Sequence, residues 1–393
     1  MPNNTLEKWE EKTIGELCSL VTGGTPNTKN ENYYKNGTIK WLVSGDIHKK
    51  IIYDCSGRIT EDGYNNSNAK YLPIDSVLIA LNGQGKTRGT VALLKTEATC
   101  NQSIVSIMPN NQGQLLSSYL YHYLDAKYRK IREMTGDGGN DRRGLNMPLI
   151  KSIKIKYPIS INEQEHIVKF LNTILENIEK AKQNTLQNLN NAKELFESYL
   201  DEVFTKNTDN WNKYKVKDVC EYAKEQGHYN LPYVGMEHIK SSTAEFIGTL
   251  DNTEVKSTTF HFDKGIILYG RLRPYLRKVI LTTFEGHCST ELFPIKVNDK
   301  VNNKFLMYWL LSQRITDKIN ETWTGARMPR ANMNKVLEFD ISIPSITEQQ
   351  KIVSQLDKLL EQTKKLEQIY TQKLQDLDEL KQSILQKAFN GEL

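Results

Sequence analysis

The sequence predicts an α+β protein built by tandem duplication, in which a strand-rich domain and a long helix occur twice in succession. Three observations predict this fold. Residues 162–204 and 347–393 carry apolar residues at alternating steps of three and four, with no glycine or proline before Gly391. Each segment follows a strand-like stretch that closes on a proline, Pro158 or Pro344. The elements that precede the two segments also come in the same order.

The two long segments match each other in the spacing of their apolar residues. Steps of three and four give a repeat of 3.5, which is the seam of a coiled coil. Roughly 42 residues at a rise of 1.5 Å make a helix about 60 Å long. A helix with one narrow apolar stripe needs a partner, and we expect each helix to pair with its own copy. The seam includes Ile167, Leu171, Ile174, Ile178, Leu189, Phe196 and Val203 in the first segment, and Ile352, Leu356, Leu359, Leu366, Leu377, Leu380 and Ile384 in the second.

Each helix is predicted to begin at a capping box. Asn162 is followed by Glu165, and Thr347 by Gln350, three residues later in both cases. A small polar side chain caps the free amides of the first turn, and the third residue after it reaches back. The six residues that follow each predicted cap also match: Glu163-Gln164-Glu165-His166-Ile167-Val168 and Glu348-Gln349-Gln350-Lys351-Ile352-Val353.

These signals divide the chain into four parts. The first strand-rich domain is predicted at residues 1–158 and the first helix at 159–206, and the second domain is predicted at 207–345 and the second helix at 346–393. In the first domain we expect strands at 39–43, 76–80, 90–94 and 103–107 and a helix at 118–132; in the second we expect strands at 265–269 and 279–281 and a helix at 304–320.

The two domains agree in the order of their elements but poorly in sequence, whereas the helices agree better. A shared scaffold with different surfaces suits two modules of one kind that read different targets. The alternative is that divergence erased the surface similarity without any change of target.

The composition is that of a globular protein, with 393 residues, 25% of them charged and 38% hydrophobic. No apolar run approaches 18 residues and no signal-peptide pattern is visible, so neither a membrane span nor export is expected. The five cysteines form no Cys-x-x-Cys pair, which argues against a zinc ribbon or redox motif and favours the reducing cytoplasm. A net charge of +5 permits nucleic-acid binding without proving it.

A projecting hairpin loop is predicted in each domain, and both loops carry basic and amide side chains. Arginine and lysine contact phosphates or guanine edges, and asparagine and glutamine suit adenine edges. The alternative is a pair of solvated surface turns. The candidate DNA-binding residues are Asn82, Gln84, Lys86, Thr87 and Arg88 in the first loop, and Arg271, Arg273, Tyr275, Arg277 and Lys278 in the second.

A second basic loop precedes each long helix. Glycines let a backbone approach a phosphate closely, and paired arginines suit bidentate contacts. The alternative is a linker whose arginines and asparagines satisfy carbonyls at the domain–helix junction. The candidate DNA-binding residues here are Arg142 and Arg143 in the loop 136–146, and Arg327 and Arg330 in the loop 325–333.

Catalytic signals are sparse. The stretch from Ala80 to Thr87 nearly fits a phosphate-binding loop, but such a loop must run into a helix and residues 90–94 are typical of a strand. The sequence has no methyltransferase fingerprint and no His-x-x-x-His pair, and Glu254 and Lys256 lack a convincing acidic partner for a nuclease motif. We therefore predict no catalytic residue and no metal site, and the chain is interpreted as a reader rather than an enzyme.

These residues resemble the specificity subunit of type I restriction–modification enzymes over the whole chain. A turn at 23–26 followed by residues 41–47 is typical of a recognition domain in that family. The second domain lacks the turn and has Gly235-Met236-Glu237-His238-Ile239 instead. The most specific matches are Ile343-Pro344-Ser345-Ile346-Thr347-Glu348-Gln349-Gln350-Lys351-Ile352-Val353 and Ser383-Ile384-Leu385-Gln386-Lys387-Ala388-Phe389-Asn390-Gly391-Glu392-Leu393.

The resemblance implies two target-recognition domains that each read one half of a bipartite, asymmetric site in double-stranded DNA. It also implies that the two helices pair antiparallel, set the spacing between the halves and dock two copies of a modification subunit. That separate subunit binds S-adenosylmethionine and methylates adenine, and a further restriction and translocase subunit uses ATP and Mg. No cofactor is implied for the specificity chain itself.

Two other readings stay open. One is a coiled-coil scaffold with two protein-binding domains and no specific DNA readout. The other, weaker one is a nucleotide-hydrolysing switch built on residues 80–87.

Overall fold

The computed structural model describes residues 8–83, 85–110, 113–136, 144–206, 208–323 and 327–393. The chain forms two compact units, unit 1 (Met1–Gln183 and Leu374–Leu393) and unit 2 (Asn184–Lys373). Both division points fall inside the long helices, so each unit holds one strand-rich domain and a segment of each helix. The predicted domain bounds remain predictions, whereas the predicted tandem α+β duplication is confirmed.

Unit 1 places its short elements before the first long helix. The elements are β1 (Trp9–Thr13), α1 (Ile14–Leu17), β2 (Cys18–Thr22), β3 (Ile39–Leu42), β4 (Ile51–Ile52), β5 (Arg58–Ile59), α2 (Glu61–Asn65), β6 (Val77–Ala80), β7 (Val91–Leu94), β8 (Thr99–Cys100), β9 (Ile104–Pro109), α3 (Ser117–Ala126), α4 (Tyr128–Glu133), α5 (Met147–Lys151), β10 (Lys154–Pro158) and the long helix α6 (Ile161–Val203).

The main sheet of unit 1 has the strand order β2-β9-β6-β7-β4, and a smaller sheet has the order β5-β3-β8. Strand β6 is buried along its whole length because both faces of the main sheet are covered. Val77 and Ile79 pack into the core that holds α3, while Leu78 and Ala80 pack into a second core that holds Leu42 of β3. The first and last strands, β1 and β10, pair antiparallel and close the domain just before α6.

Unit 2 repeats this order of elements. They are β11 (Asn212–Lys215), β12 (Cys220–Tyr222), β13 (Gln226–Gly227), β14 (Leu231–Val234), β15 (Ile239–Lys240), β16 (Glu245–Phe246), β17 (Asn252–Thr253), β18 (Thr259–Phe262), β19 (Ile267–Gly270), β20 (Val279–Leu281), β21 (Gly286–Cys288), β22 (Leu292–Val297), α7 (Asn303–Leu311), α8 (Gln313–Asn320), α9 (Met333–Leu337), β23 (Asp340–Ile343) and the long helix α10 (Ile346–Asn390).

The sheets of unit 2 follow the same plan. One has the order β12-β22-β19-β20 and the other β13-β18-β21-β14-β17, and β11 pairs antiparallel with β23. The strands predicted at 39–43, 76–80, 90–94, 103–107, 265–269 and 279–281 are all present within one or two residues. Each domain helix predicted as one element is instead two, since the helices break at Lys127 and at Ser312.

The predicted helix caps are wrong by two residues. Helices α6 and α10 begin at Ile161 and Ile346, before Asn162 and Thr347. The backbone amide of Glu163 donates to Ser160 Oγ at 3.4 Å, and that of Glu348 donates to Ser345 Oγ at 3.4 Å. Serine is an equally good cap, so composition alone did not separate the two registers.

The repeated words at the helix starts place a buried glutamine in each unit. Gln164 donates from Nε2 to the carbonyls of Pro158 at 2.9 Å and Gln114 at 2.8 Å, and its Oε1 accepts from the Leu116 amide. Gln349 donates in the same way to Pro344 at 2.9 Å and Lys300 at 3.0 Å. Both side chains are fully buried, so they fasten each long helix to the domain before it.

The long helices pair antiparallel, as the resemblance implied. Within unit 1, Leu171 of α6 shares a core with Leu385 of α10, and Lys182 forms an ion pair with Asp378. Within unit 2, Leu200 shares a core with Leu356. Within unit 1 the residue numbers rise along α6 as they fall along α10.

The five cysteines are free and buried. Within the described ranges, no helix is both long enough and apolar enough to cross a membrane.

Candidate nucleic-acid interface

The two basic loops predicted in the second domain lie side by side in unit 2. Residues 271–278 connect β19 to β20, and residues 327–331 precede α9. The Arg273 amide donates to the Pro329 carbonyl at 2.8 Å, and the Ala331 amide donates to the Arg271 carbonyl at 2.9 Å. We call these two segments the unit 2 loop pair.

Arg271 and Arg330 are held together by one carboxylate. Arg271 Nε donates to Glu291 Oε2 at 3.0 Å, and Arg330 donates from Nη2 to Oε1 at 2.8 Å. Partial burial raises the pKa of Glu291, but the hydrogen bond from Arg330 and the charge of Arg271 outweigh it and lower that pKa overall. The charged carboxylate therefore fixes one arginine on each loop.

The tip of the unit 2 loop pair is exposed. Arg273 and Arg327 are exposed, and Tyr275 is 49% accessible. Arg273 and Arg277 both have φ of 50°, a left-handed conformation that is unusual for arginine and brackets a short turn holding Tyr275. No ion pair involves Arg273 or Arg327 among the described residues. The pair thus presents one aromatic ring and two guanidinium groups that form no ion pair with a described residue.

Two exposed apolar side chains beside these arginines were not predicted. Trp323 is 50% accessible and Met328 is 46% accessible. The position of Trp323 between a helix end and a basic loop could have indicated a nucleic-acid contact, because aromatic rings stack on bases.

Arg277 is buried, which argues against its predicted contact with DNA. It is 6% accessible and donates from Nε to the Leu311 carbonyl at 2.8 Å, from Nη1 to Gln313 at 3.1 Å, and from Nη2 to Glu197 at 2.6 Å. Lys278 is likewise engaged, donating from Nζ to the Met236 carbonyl at 2.5 Å. These side chains tie the hairpin to its own unit.

Replacing Arg277 by alanine is expected to lower the free energy of unfolding by about 3 kcal/mol, because Glu197 and the Leu311 carbonyl lose a buried charged donor. The matched control is Arg273→Ala, a change of the same type on the same loop. It is expected to change the stability by less than about 0.5 kcal/mol, since Arg273 is exposed. Denaturant titration of both variants measures the difference, and equal stabilities would contradict an internal role for Arg277.

Unit 1 brings its two loops together through the same backbone contact. Residues 81–89 connect β6 to β7, and residues 144–146 precede α5. The Leu145 amide donates to the Leu81 carbonyl at 2.9 Å, as Ala331 does to Arg271. Gly144 lies so close to Asn82 that a Cβ there would stand 2.2 Å from Asn82 Oδ1. We call these segments the unit 1 loop pair.

The predicted contacts of the unit 1 loop pair have different environments. Asn82 and Lys86 are exposed. Thr87 Oγ1 lies 3.0 Å from His48 Nε2. Arg88 is buried, and its Nη2 donates to the Gly136 carbonyl at 3.0 Å. The burial of Arg88 argues against its predicted contact with DNA. Gln84, Arg142 and Arg143 lie outside the described residues, and their assignments stay predictions.

The near-match to a phosphate-binding loop runs between two strands. The segment 80–87 leaves β6 and the chain continues into β7, antiparallel to it. A phosphate-binding loop needs the amides of a helix N-terminus directly after it. Nucleotide binding at this segment is therefore not supported.

The turn at residues 23–26 packs inside the first domain. The Gly24 amide donates to the Cys100 carbonyl at 2.9 Å, and Trp41 Nε1 donates to the Gly24 carbonyl at 3.0 Å. A Cβ at Gly23 would lie 2.0 Å from the Cys100 carbonyl oxygen. The glycines of this turn therefore serve close packing against β8.

One group of side chains in the described ranges has the spacing of metal ligands. The ligand atoms of His261, Asp263 and Glu285 lie within 4.8 Å of one another. His261 Nε2 is 3.0 Å from Glu285 Oε1, which an ordinary surface ion pair also explains. The group carries no metal assignment, and the absence of a metal site stays a prediction.

Comparison with known proteins places the fold and the family. The family model for the type I restriction modification DNA specificity domain matches residues 6–188 and again 208–375. The EcoDI specificity subunit from Escherichia coli is 32% identical over 191 residues, which are 48% of this chain and 43% of that protein. That match, like the one to the EcoR124I/EcoR124II specificity subunit, thus spans less than half of the relative.

Other similarities cover nearly the whole chain. The MjaIX specificity subunit from Methanocaldococcus jannaschii is 24% identical over 420 residues, covering 98% of this chain and 93% of that protein. A chain solved in work on complex assembly and conformational transition of the type I R-M system has a TM-score of 0.78, with 17% identity and 98% of each chain covered. The HsdS subunit from Thermoanaerobacter tengcongensis has a TM-score of 0.61 with 16% identity, over 100% of this chain and 99% of that one.

Proposed function

The chain belongs to the family defined by the type I restriction–modification DNA specificity domain, and from that premise we propose that it selects DNA sites for a type I modification complex. Each loop pair reads one half of a bipartite, asymmetric site in double-stranded DNA. The antiparallel helices set the spacing between the halves. The chain itself performs no catalysis.

One observation carries the proposal: the same backbone contact presents different side chains in the two units. Leu145 to Leu81 and Ala331 to Arg271 are equivalent hydrogen bonds at 2.9 Å. Unit 1 offers Asn82 and Lys86 there, whereas unit 2 offers exposed arginines and Tyr275. Amides suit adenine edges and arginines suit guanine edges. Two different half-sites require two loop pairs that have the same backbone arrangement and different exposed side chains.

The long helices are the proposed docking surface for two copies of a modification subunit. Large apolar side chains stay exposed on them: Phe170 and Leu380 in unit 1, and Leu186, Leu195 and Ile369 in unit 2. Leu380 was predicted in the helix seam, and its exposure shows that this assignment was wrong. Such side chains on a polar helix suit a partner interface. The partner would bind S-adenosylmethionine and methylate adenine, and a further restriction subunit would use ATP and Mg. A complex of this kind acts on DNA in the cytoplasm.

Selection from random duplexes tests the proposal. The chain, purified with its modification subunit, is expected to enrich one interrupted motif with two unlike halves. The competing function is a scaffold that holds two other proteins without specific DNA readout. Recovery of random sequence by a correctly assembled complex would favour that scaffold and contradict the proposal.

A further inference from the structure

A groove in unit 1 carries positive charge in addition to the side chains that the unit 1 loop pair presents. One cavity of about 400 Å³ is lined by Lys127, Arg129 and Lys130, at the corner between α3 and α4, and by Gln382 and Gln386 of α10. A second cavity of about 350 Å³ adjoins it, since both are lined by Arg129 and Gln382. We call the two together the basic groove.

The cations of the basic groove are largely unpaired. Lys50 and Asp125 form an ion pair at 2.5 Å, and Asp125 is the one acid among the described residues that line the two cavities. Within the described part of the chain, no ion pair involves any of the remaining cations: Lys86, Lys127, Arg129, Lys130 and Lys381.

Lys127 is partly buried and lies near other cations. Burial lowers the pKa of its ammonium group, and the charges of Lys130 and Lys156 lower it further. Its Nζ lies 5.4 Å from the ring centroid of Tyr123. An anion in the groove would compensate this accumulated charge.

The duplicated fold does not require a basic groove, because the aligned helix positions carry acids in unit 2 and glutamines in unit 1. Aligning Gln164 with Gln349 sets Glu197 opposite Gln382 and Asp201 opposite Gln386. In unit 2, Glu197 pairs with Arg277, and Asp201 Oδ1 accepts from the Gln313 amide at 3.0 Å at the start of α8. Asp201 thus caps the start of α8, and Glu197 neutralises the hairpin residue Arg277, whose other donors reach Leu311 and Gln313 at the corner between α7 and α8.

In unit 1 these helix positions carry neutral amides while the corner is basic. Glutamine can donate to phosphate oxygens, whereas a carboxylate would repel them. The exchange of two acids for two amides, opposite three cations, therefore points to an anionic ligand.

The groove is continuous with the unit 1 loop pair. Lys86 lies on the hairpin and also lines the second cavity. Tyr128 Oη donates to the Lys86 carbonyl at 2.8 Å, and Arg132 donates to the Gly85 carbonyl, so α4 is fastened to the hairpin. A ligand of the loop pair would therefore extend over the groove.

We infer that the basic groove binds the sugar–phosphate backbone of the duplex next to the half-site read by unit 1. This inference rests on the proposed function and adds a sequence-independent contact to it. Lys127, Arg129 and Lys130 contact phosphates, and the neutral amides of Gln382 and Gln386 add no repelling charge to the groove. The aligned helix positions of unit 2 carry Glu197 and Asp201 instead, so the duplex is held more tightly at the half-site read by unit 1.

The test uses the full complex with its modification subunit, and the variant Lys127→Ala/Arg129→Ala/Lys130→Ala. Affinity for duplexes that contain the selected motif is measured against salt concentration. The slope of log affinity against log salt is expected to become shallower by about 0.9 for each phosphate that the variant leaves unneutralised, up to about 2.7 for three. Affinity should fall by on the order of tenfold or more at about 0.1 M salt, equally for specific and random duplexes.

A second variant tests the groove without removing any cation. Gln382→Glu/Gln386→Asp gives unit 1 the acids of unit 2 and should also weaken binding at low salt. The control replaces three exposed lysines that line neither cavity, Lys29, Lys35 and Lys70, by alanine, and should leave most of the salt slope unchanged.

The outcomes separate the two hypotheses. If the unaltered complex binds no duplex, the proposed function fails. If it binds but both groove variants keep its affinity and salt slope, the inference alone is overturned. Loss of the modification subunit from the groove variants, with the DNA affinity of the remaining complex unchanged, would show an acidic protein segment as the occupant and would also overturn it.

Discussion

Replacing Arg273 and Arg327 by alanine is expected to abolish selection of the half-site read by unit 2, while the other half-site is still selected. Both side chains are exposed on the unit 2 loop pair and engage no acid among the described residues. A bidentate arginine–guanine contact contributes about 1–3 kcal/mol of discrimination. Removing both arginines therefore corresponds to a decrease of roughly 30-fold or more in specific affinity.

The loop itself should survive this double change. Its position depends on the backbone hydrogen bonds of Arg273 and Ala331 and on Glu291, none of which needs the two removed side chains. The matched control is Lys264→Ala/Lys300→Ala, which also removes two positive charges. Lys264 precedes β19 and Lys300 follows the antiparallel β22, so both lie at the strand ends away from the loop pair.

Binding of the two double variants to the selected duplex, by fluorescence anisotropy at fixed salt, makes the comparison. The arginine variant should lose the unit 2 half of the motif in a repeated selection, and the lysine variant should keep both halves. Equal affinities for the two variants would rule out the unit 2 loop pair as a reader.

Removing one heptad from each long helix is expected to shorten the recognised spacer by about three base pairs, with both half-sites kept. Seven residues at a rise of 1.5 Å shorten a helix by about 10 Å, and each base-pair step spans about 3.4 Å. The deletion of residues 178–184 together with 372–378 preserves the packing of Leu171 near Leu385 and of Leu200 near Leu356, because both helices lose the same length.

The control for the heptad deletion exchanges the same two heptads for others with apolar residues at the same seam positions. That exchange should leave the spacer unchanged, because length and register are kept. Selection from random duplexes gives the spacer for both forms. A paired deletion that folds, assembles and still selects the original spacer would contradict the role of the helices as a ruler.

Sequence patterns predicted most of the scaffold because duplication made each signal visible twice. The long helices follow from their apolar period, and strands such as β6 and β19 follow from short buried runs. The serine caps were missed because Ser160 and Asn162, two residues apart, both satisfy the capping preference. The function of the repeated Gln164 and Gln349 became clear only from the carbonyls they contact.

The direction of single loop side chains could not be predicted. Arg273 and Arg277 are four residues apart in one basic loop, yet two left-handed backbone positions leave the first exposed and the second buried against Glu197. The basic groove was missed for a related reason. Lys127 and Gln382 are far apart in the sequence, and only the packing of α10 within unit 1 brings them together.

The central claim is that the two loop pairs of a duplicated fold recognise different DNA half-sites. A genome-wide map of methyladenine tests it most directly. The chain is expressed with its neighbouring methyltransferase in cells that lack other adenine methylation. We predict a single interrupted motif with two different halves and a methylated adenine in each. Methylation at one continuous or palindromic motif, or none that depends on this chain, would contradict that account.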